Sequence, residues 1–163
     1  HRSLMATHQR RRTLRQLASE LSAGNKERCT WASIAKGSEP LPVWYCAIGS
    51  MVNPTSLANR NLRPLHSIAV EVLDFERTFR GHSDSAKIGM AFAEPCVGSS
   101  FHAVLHLMSA TDMKALDDME AGYVRVAATC RQYDGKQLDA TVYTAEDLDS
   151  RPIRAPEQRY IDI

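Results

Sequence analysis

Short apolar segments separated by turn-forming residues run through most of the chain, and they limit the folds that it can adopt. Each is rich in β-branched or aromatic residues: Val43–Ile48, Ser67–Phe79, Lys87–Ala93, Phe101–Met108, Tyr123–Cys130 and Leu138–Tyr143. Runs of this kind between turn signals indicate β-strands. Because most are short and outnumber the helical patterns, we predict an α+β fold. Its centre is a small, strongly curved mixed β-sheet or barrel with a few helices.

Turn and capping residues predict how these segments are connected. The stretch Tyr133–Lys136 contains an Asp-Gly pair, which predicts a β-hairpin between the last two strands. Asn53-Pro54-Thr55 predicts a short helical segment that runs to Arg60. The clearest helix of the body is "ATDMKALDDMEAG", for which Thr111 is the candidate N-cap. Pro95 is expected to end the strand that contains residues 87–93.

Residues 1–42 differ in composition from the rest of the chain. Residues 1–36 contain eight Lys/Arg and two acidic residues, whereas residues 37–163 contain twelve basic and seventeen acidic residues. An apolar stripe of Leu14, Leu17, Ala18 and Leu21 predicts a helix from Thr7 to about Leu21. A linker-like stretch follows up to Pro42. We therefore predict a basic amphipathic helix and linker over 1–42 and a separate domain over 43–163.

Three interpretations of this N-terminal arm are compatible with its pattern. It is a solvated helix packed on its own domain, or the remnant of an Arg-rich, acid-poor organelle-targeting segment. Alternatively, it docks on a protein partner or an anionic surface. The sequence favours none of the three.

Charge and hydropathy exclude several classes of function for the body. Its net negative charge argues against nucleic-acid binding. The sequence contains neither an apolar run of about 20 residues nor the apolar region of a secretory signal. We therefore predict a soluble or peripheral protein that is cytoplasmic or organellar (mitochondrion or plastid) and not secreted.

The sequence offers no convincing metal site. Cys29, Cys46, Cys96 and Cys130 are far apart without a Cys-x-x-Cys pair, and we interpret them as free thiols. His102 and His106 lie four residues apart on a predicted strand, which separates them by about 13 Å. That distance is too long for one metal ion. The two histidines are therefore interpreted as surface or packing residues.

The order of several motifs resembles that of the γ-glutamylcyclotransferase family. The motifs are "WYCAIGSMVNPTSLANR", "VLDFERTF", "CVGSSFHAVLHLMSATDMKALDDMEAGYVRV", "ATVYT" and "RAPEQRYIDI". The resemblance covers residues 43–163 and implies the fold of that family. Two departures stand out. Where the family reads Tyr-Gly-Ser-Asn the chain reads Ile48-Gly49-Ser50-Met51, and where it usually reads Glu-Gly the chain reads Glu120-Ala121-Gly122.

The resemblance also implies an activity. Members of the family cleave a γ-glutamyl amide by attack of its own α-amine on the γ-carbonyl, which releases an amine and 5-oxoproline without a metal or organic cofactor. By resemblance, Glu120 is the catalytic acid/base. Ile48, Gly49, Ser50 and Met51 form the substrate-binding loop, in which Ile48 and Met51 contribute backbone N–H groups only. Tyr123 and Tyr143 match tyrosines that flank the family pocket.

Two functions from different classes follow. The first is a γ-glutamylcyclotransferase-like lyase acting on γ-glutamyl small molecules or peptides, and it depends on Glu120. The second is a non-catalytic member of the fold that serves as an interaction subunit of a larger assembly, with the basic arm as a contact. The changed loop, the added arm and the end of the chain at Ile163 favour the second.

Overall fold

The computed structural model describes residues 40–82, 87–156 and 158–161. The elements within these ranges are β1 (Val43–Ala47), α1 (Pro54–Ala58), β2 (His66–Arg80), β3 (Met90–Met108), α2 (Ala110–Met119), β4 (Val124–Gln132), β5 (Gln137–Thr144) and α3 (Gln158–Ile161). Two 3-10 turns, Ser50–Val52 and Leu148–Ser150, complete the set.

The five strands form a closed barrel in the order β1-β3-β2-β4-β5. Of the five neighbouring strand pairs, β1/β3, β2/β3, β2/β4 and β4/β5 are antiparallel, and β1/β5 is parallel. The parallel pair closes the barrel and makes the sheet mixed. The prediction of a small, curved mixed sheet or barrel is thereby confirmed.

Side chains alternate between two apolar clusters because successive strand residues point to opposite faces of the sheet. The barrel-interior cluster contains Cys46 of β1, with Val70 and Val72 of β2 and Leu105 of β3. The second cluster, here called the helix-side cluster, lies on the other face. Its buried members are Tyr45, Ala47, Met51, Leu57, Leu62, Met108, Met113, Leu116 and Tyr143. The helix-side cluster holds the turn after β1 and helix α2 beside the barrel.

The prediction that Pro95 ends a strand is wrong, because β3 continues through it. In the β2/β3 pair, Leu73 is opposite Ser100 while Phe75 is opposite Pro95, so one residue of β2 faces four of β3. Asp74 adopts a positive φ of 61° at this point, and its carboxylate accepts from the N–H of Gly98 at 2.8 Å. The extra residues of this bulge directly follow Pro95, which has no N–H to donate to a regular ladder. The proline therefore lies where the ladder is already interrupted.

Local signals predicted the helix starts and the hairpin, with one correction. Asn53 caps α1 by accepting from the N–H of Thr55 at 2.8 Å. Ser109, not Thr111, caps α2, because its hydroxyl accepts from the N–H of Asp112 at 3.1 Å. Asp134 and Gly135 form the turn between β4 and β5, and Gly135 has the positive φ that such a turn requires.

The N-terminal arm falls outside the described residues except for Pro40–Pro42. The helix of residues 7–21 and the boundary at residue 42 therefore stay predictions. None of the helices in the described ranges has the length and apolar character needed to cross a bilayer.

Candidate active site

Glu120 is the C-cap residue of α2 and begins the connection to β4. Its N–H donates to the carbonyl of Leu116 at 2.9 Å and closes the last helical turn. Its own carbonyl accepts from the N–H of Tyr123 at 2.9 Å. Gly122, between them, has a φ of +96°, a conformation that favours glycine. The backbone on both sides of Glu120 is thus held by hydrogen bonds.

The Glu120 carboxyl group is half-buried and interacts with charged and phenolic neighbours. Burial raises its pKa, and the Arg60 guanidinium partly opposes that rise. Burial also raises the pKa of Tyr45 well above its usual range, and the Glu120 charge adds to the effect. The three groups are therefore close enough to influence one another. A carboxyl group with a raised pKa is suited to take up and return a proton.

The turn after β1 is a short 3-10 turn. Its bonds run from the N–H of Val52 to the carbonyl of Gly49 and from the N–H of Asn53 to that of Ser50, both at 3.1 Å. The N–H groups of Ser50 and Met51 precede the first of these donors and have no partner within the turn. Backbone N–H groups in this situation are able to bind an anionic group.

The structure brings three of the predicted site residues, Met51, Tyr123 and Tyr143, to one side of the barrel. Met51 and Tyr143 are buried in the helix-side cluster together with Leu116 of α2, and the half-buried Tyr123 packs against it. Ile48 differs, because it packs against the barrel-interior cluster. The loop, the two tyrosines and the helix that ends at Glu120 thus share one packed region.

His106 contacts a residue of the predicted loop, and the sequence interpretation did not connect it with the candidate site. It is only 2% exposed, and its two ring nitrogens lie 2.8 Å from the hydroxyl of Ser67 and 3.1 Å from the carbonyl of Met51. It is a buried link to the loop and not a surface residue. His102, by contrast, is exposed and contacts the Tyr133 hydroxyl at 2.7 Å. The available signal was a polar residue in the otherwise apolar run Ala103–Met108.

Tyr143 is tied to an acid on α2. Its hydroxyl donates to the Asp117 carboxylate at 2.5 Å, and Arg125 of β4 donates to the same oxygen at 2.6 Å. Burial works against the charge on Asp117, but the bonds from Arg125 and Tyr143 outweigh it, so the pKa of Asp117 is lowered. This network links the last turn of α2, which leads to Glu120, to strands β4 and β5. The sequence interpretation did not identify Asp117 or Arg125.

Within the described ranges, no group of three or more His, Cys, Asp and Glu side chains is arranged to hold a metal ion. Cys46, Cys96 and Cys130 are free thiols. Cys29 lies outside the described residues.

No protein-family model matches the sequence, and no curated protein matches it. Solved structures do match. A γ-glutamyl cyclotransferase is 17% identical with a TM-score of 0.54, over 64% of this chain and 66% of that chain. A human protein described as uncharacterized is 21% identical with a TM-score of 0.54, over the same shares. YkqA from Bacillus subtilis is 15% identical with a TM-score of 0.59, over 84% of this chain and 51% of that chain.

The chain matches just under two thirds of the length of the first two structures and about half of the third. At such identities the likeness concerns the fold, since one fold hosts many functions. The strand order and the motif order lead to the same conclusion as these matches: the chain has the γ-glutamylcyclotransferase-like fold.

Proposed function

We propose that this protein cleaves γ-glutamyl amides to 5-oxoproline and a free amine, with Glu120 as the general acid/base. The observation that carries the proposal is the state of the Glu120 carboxyl group. It is half-buried beside Tyr45 at the fixed end of α2, and its pKa is raised by burial. Of the residues on this side of the barrel, it is the one best suited to proton transfer.

In the proposed reaction the nucleophile belongs to the substrate. The carboxylate of Glu120 takes a proton from the α-ammonium group of the γ-glutamyl moiety. The freed amine adds to the γ-carbonyl of the same moiety and forms a five-membered ring. The bond from that carbon to the leaving nitrogen then breaks and Glu120 returns its proton to that nitrogen. The surplus proton of the ring nitrogen passes to the departing amine, which leaves as an ammonium ion. The products are 5-oxoproline and the amine, so water is not consumed.

Positioning supplies the rest of the rate enhancement in this proposal. The substrate must be folded so that its amine and carbonyl meet, which is an orientation effect. We assign this role to the loop Gly49–Met51, whose N–H groups are suited to hold the substrate carboxylate or the developing oxyanion. Tyr143 contributes indirectly, because its hydroxyl is already bonded to Asp117. Tyr123 is assigned to the wall of the site, against the helix-side cluster.

A second candidate function is favoured by the position of Met51. The resembling family has asparagine here, whereas the Met51 side chain is 6% exposed within the helix-side cluster. A buried thioether offers a γ-glutamyl group no polar contact. A protein that keeps this fold without catalysis, as an interaction subunit with the basic arm 1–42 as a contact to a protein partner, is compatible with that change.

The test compares wild type with Glu120→Gln. The assay measures alanine released from γ-glutamyl-alanine and cysteinyl-glycine released from glutathione. Gln is nearly the same size but cannot shuttle the proton, and loss of a general acid/base typically lowers the rate ~10²- to 10⁴-fold. Glu146→Gln is the matched control, because Glu146 is exposed on the segment after β5 and should leave the rate unchanged.

A reversion of the loop separates the two candidates. Ile48→Tyr combined with Met51→Asn restores the side chains of the resembling family and should raise the activity. Activity that survives Glu120→Gln would reject the proposed mechanism. Inactivity of both the wild type and the double variant, in protein shown to be folded by circular dichroism, would favour the non-catalytic function.

A further inference from the structure

His106 links strand β2 to the turn after β1 through two hydrogen bonds. The carbonyl of Met51 can only accept, so the ring nitrogen Nε2, at 3.1 Å, carries the hydrogen. In the neutral ring Nδ1 is then an acceptor, and the Ser67 hydroxyl donates to it at 2.8 Å. Burial lowers the pKa of His106, in agreement with a neutral ring. The protonation pattern of the link follows from its partners.

This link acts on the peptide group between Met51 and Val52, which makes one of the two hydrogen bonds of the turn. The carbonyl of the Met51–Val52 peptide is held by His106, and the N–H of the same peptide donates to Gly49 at 3.1 Å. In a helical turn the N–H groups point opposite to the carbonyls. Fixing this carbonyl therefore also fixes the direction of the Val52 N–H, whose bond to Gly49 closes the turn that carries the N–H groups of Ser50 and Met51.

The surroundings leave the imidazole little freedom to turn. His106 is 2% exposed, and its ring lies 6.3 Å from the ring of Tyr45, centroid to centroid, at an angle of 32°. Tyr45 belongs to the same cluster as the Met51 side chain. Met51 is thus held at two points: its side chain packs in the helix-side cluster, and its carbonyl accepts a hydrogen bond from His106.

We propose that His106, oriented by Ser67, is a positioning residue that sets the geometry of the loop Gly49–Met51. The role in catalysis rests on the proposed function, in which this loop binds the γ-glutamyl group. The role in loop geometry does not, because it follows from the hydrogen bonds alone. Sequence separation hides the link, since His106 and Met51 are 55 residues apart.

Two substitutions of His106 separate its two hydrogen bonds. The amide nitrogen of His106→Gln reaches about as far as Nε2 and can still donate to the carbonyl of Met51. The shorter side chain of His106→Asn reaches only as far as Nδ1, so it keeps contact with Ser67 and loses the loop. His102→Gln, on the exposed face of the same strand, is the matched control.

The first readout is amide hydrogen exchange at Val52 and Asn53, whose N–H groups make the bonds of the turn. His106→Asn should speed their exchange about fivefold to tenfold, the effect expected from loss of one hydrogen bond, while the strands keep wild-type protection. His106→Gln and His102→Gln should stay within twofold of the wild type. Ser67→Ala, a change at an exposed position, should give a smaller increase at the same two amides.

Several results would overturn the positioning role. One is wild-type exchange at Val52 and Asn53 in both His106→Asn and Ser67→Ala. Another is equally fast exchange in His106→Gln and His106→Asn, which would reduce His106 to simple packing. If His106→Asn does not fold, Ser67→Ala alone decides, and unchanged exchange in that variant rejects the role.

The second readout is steady-state kinetics with γ-glutamyl-alanine. His106→Asn should raise KM about tenfold with a smaller change in kcat, and His106→Gln should restore KM. Glu120→Gln should instead lower kcat. Because the exchange experiment needs no substrate, an inactive wild type would reject the proposed function and leave the positioning result to be judged by exchange.

Discussion

Breaking the buried ion pair between β2 and β3 should destabilise the barrel by about 3 kcal/mol, the lower end of the range for such pairs. Nη2 of Arg80 lies 2.7 Å from Oε2 of Glu94, and Nε donates to the same oxygen at 3.3 Å. The side chains are only 8% and 10% exposed. A third bond joins Nη1 to the carbonyl of Arg151 at 2.9 Å. Removal of either partner therefore leaves a charge in a site that water barely reaches.

Both single variants should be destabilised, because Arg80→Met leaves a buried carboxylate and Glu94→Gln leaves a buried guanidinium, each without its partner of opposite charge. The double variant Arg80→Met/Glu94→Leu has no unpaired charge, and its loss of stability should be well below the sum of the two single losses.

Urea denaturation at pH 7, followed by circular dichroism, measures these differences. A loss of 3 kcal/mol corresponds to a fall of roughly 10 °C in the melting temperature for a chain of this size. Arg131→Met is the matched control, because it breaks an ion pair that is much more exposed. The side chain of Arg131 is 48% exposed, and that of its partner Glu71 is 23% exposed. That surface pair should contribute less than about 1 kcal/mol. The reasoning fails if Arg80→Met loses no more stability than the control, or if the double variant loses the full sum.

Three further predictions test the candidate site and the position directly before β3. Burial raises the pKa of Glu120, so the contribution of this carboxyl group to stability is complete below its unfolded pKa and is lost as pH rises through its folded pKa. In chemical denaturation, Glu120→Gln should therefore be more stable than the wild type at pH 8. The difference should vanish below about pH 4. Tyr143→Phe removes a donor to Asp117, so the pKa of Asp117 should rise in a carboxyl NMR titration, and no change would contradict the network. A Cβ on Gly89 would lie 2.7 Å from the carbonyl oxygen of Arg154, a backbone atom, so Gly89→Ala should lower the free energy of unfolding by about 1–3 kcal/mol, and a wild-type melting temperature would refute this.

Features that depend on neighbouring residues were predictable from the sequence. Short apolar runs rich in β-branched and aromatic residues indicated the strands, because this preference belongs to each residue wherever the strand lies in the fold. The Asp-Gly pair specified the β4/β5 hairpin through backbone preferences that act within four residues. The position of Glu120 at the end of a helix was likewise readable from the spacing of Met113 and Leu116 and from the nearby Gly122.

Features that join distant parts of the chain were decided only by the tertiary structure. Pro95 lies within β3 because Asp74, 21 residues earlier, adopts a positive φ opposite a bulge. The roles of Asp117 and His106 depend on partners 26 and 55 residues away, in Tyr143 and Met51. A sequence pattern records which residue can donate or accept a hydrogen bond. The closure of the barrel determines which of these groups meet, because it brings β1 beside β3 and β5 and so places the turn after β1 against His106.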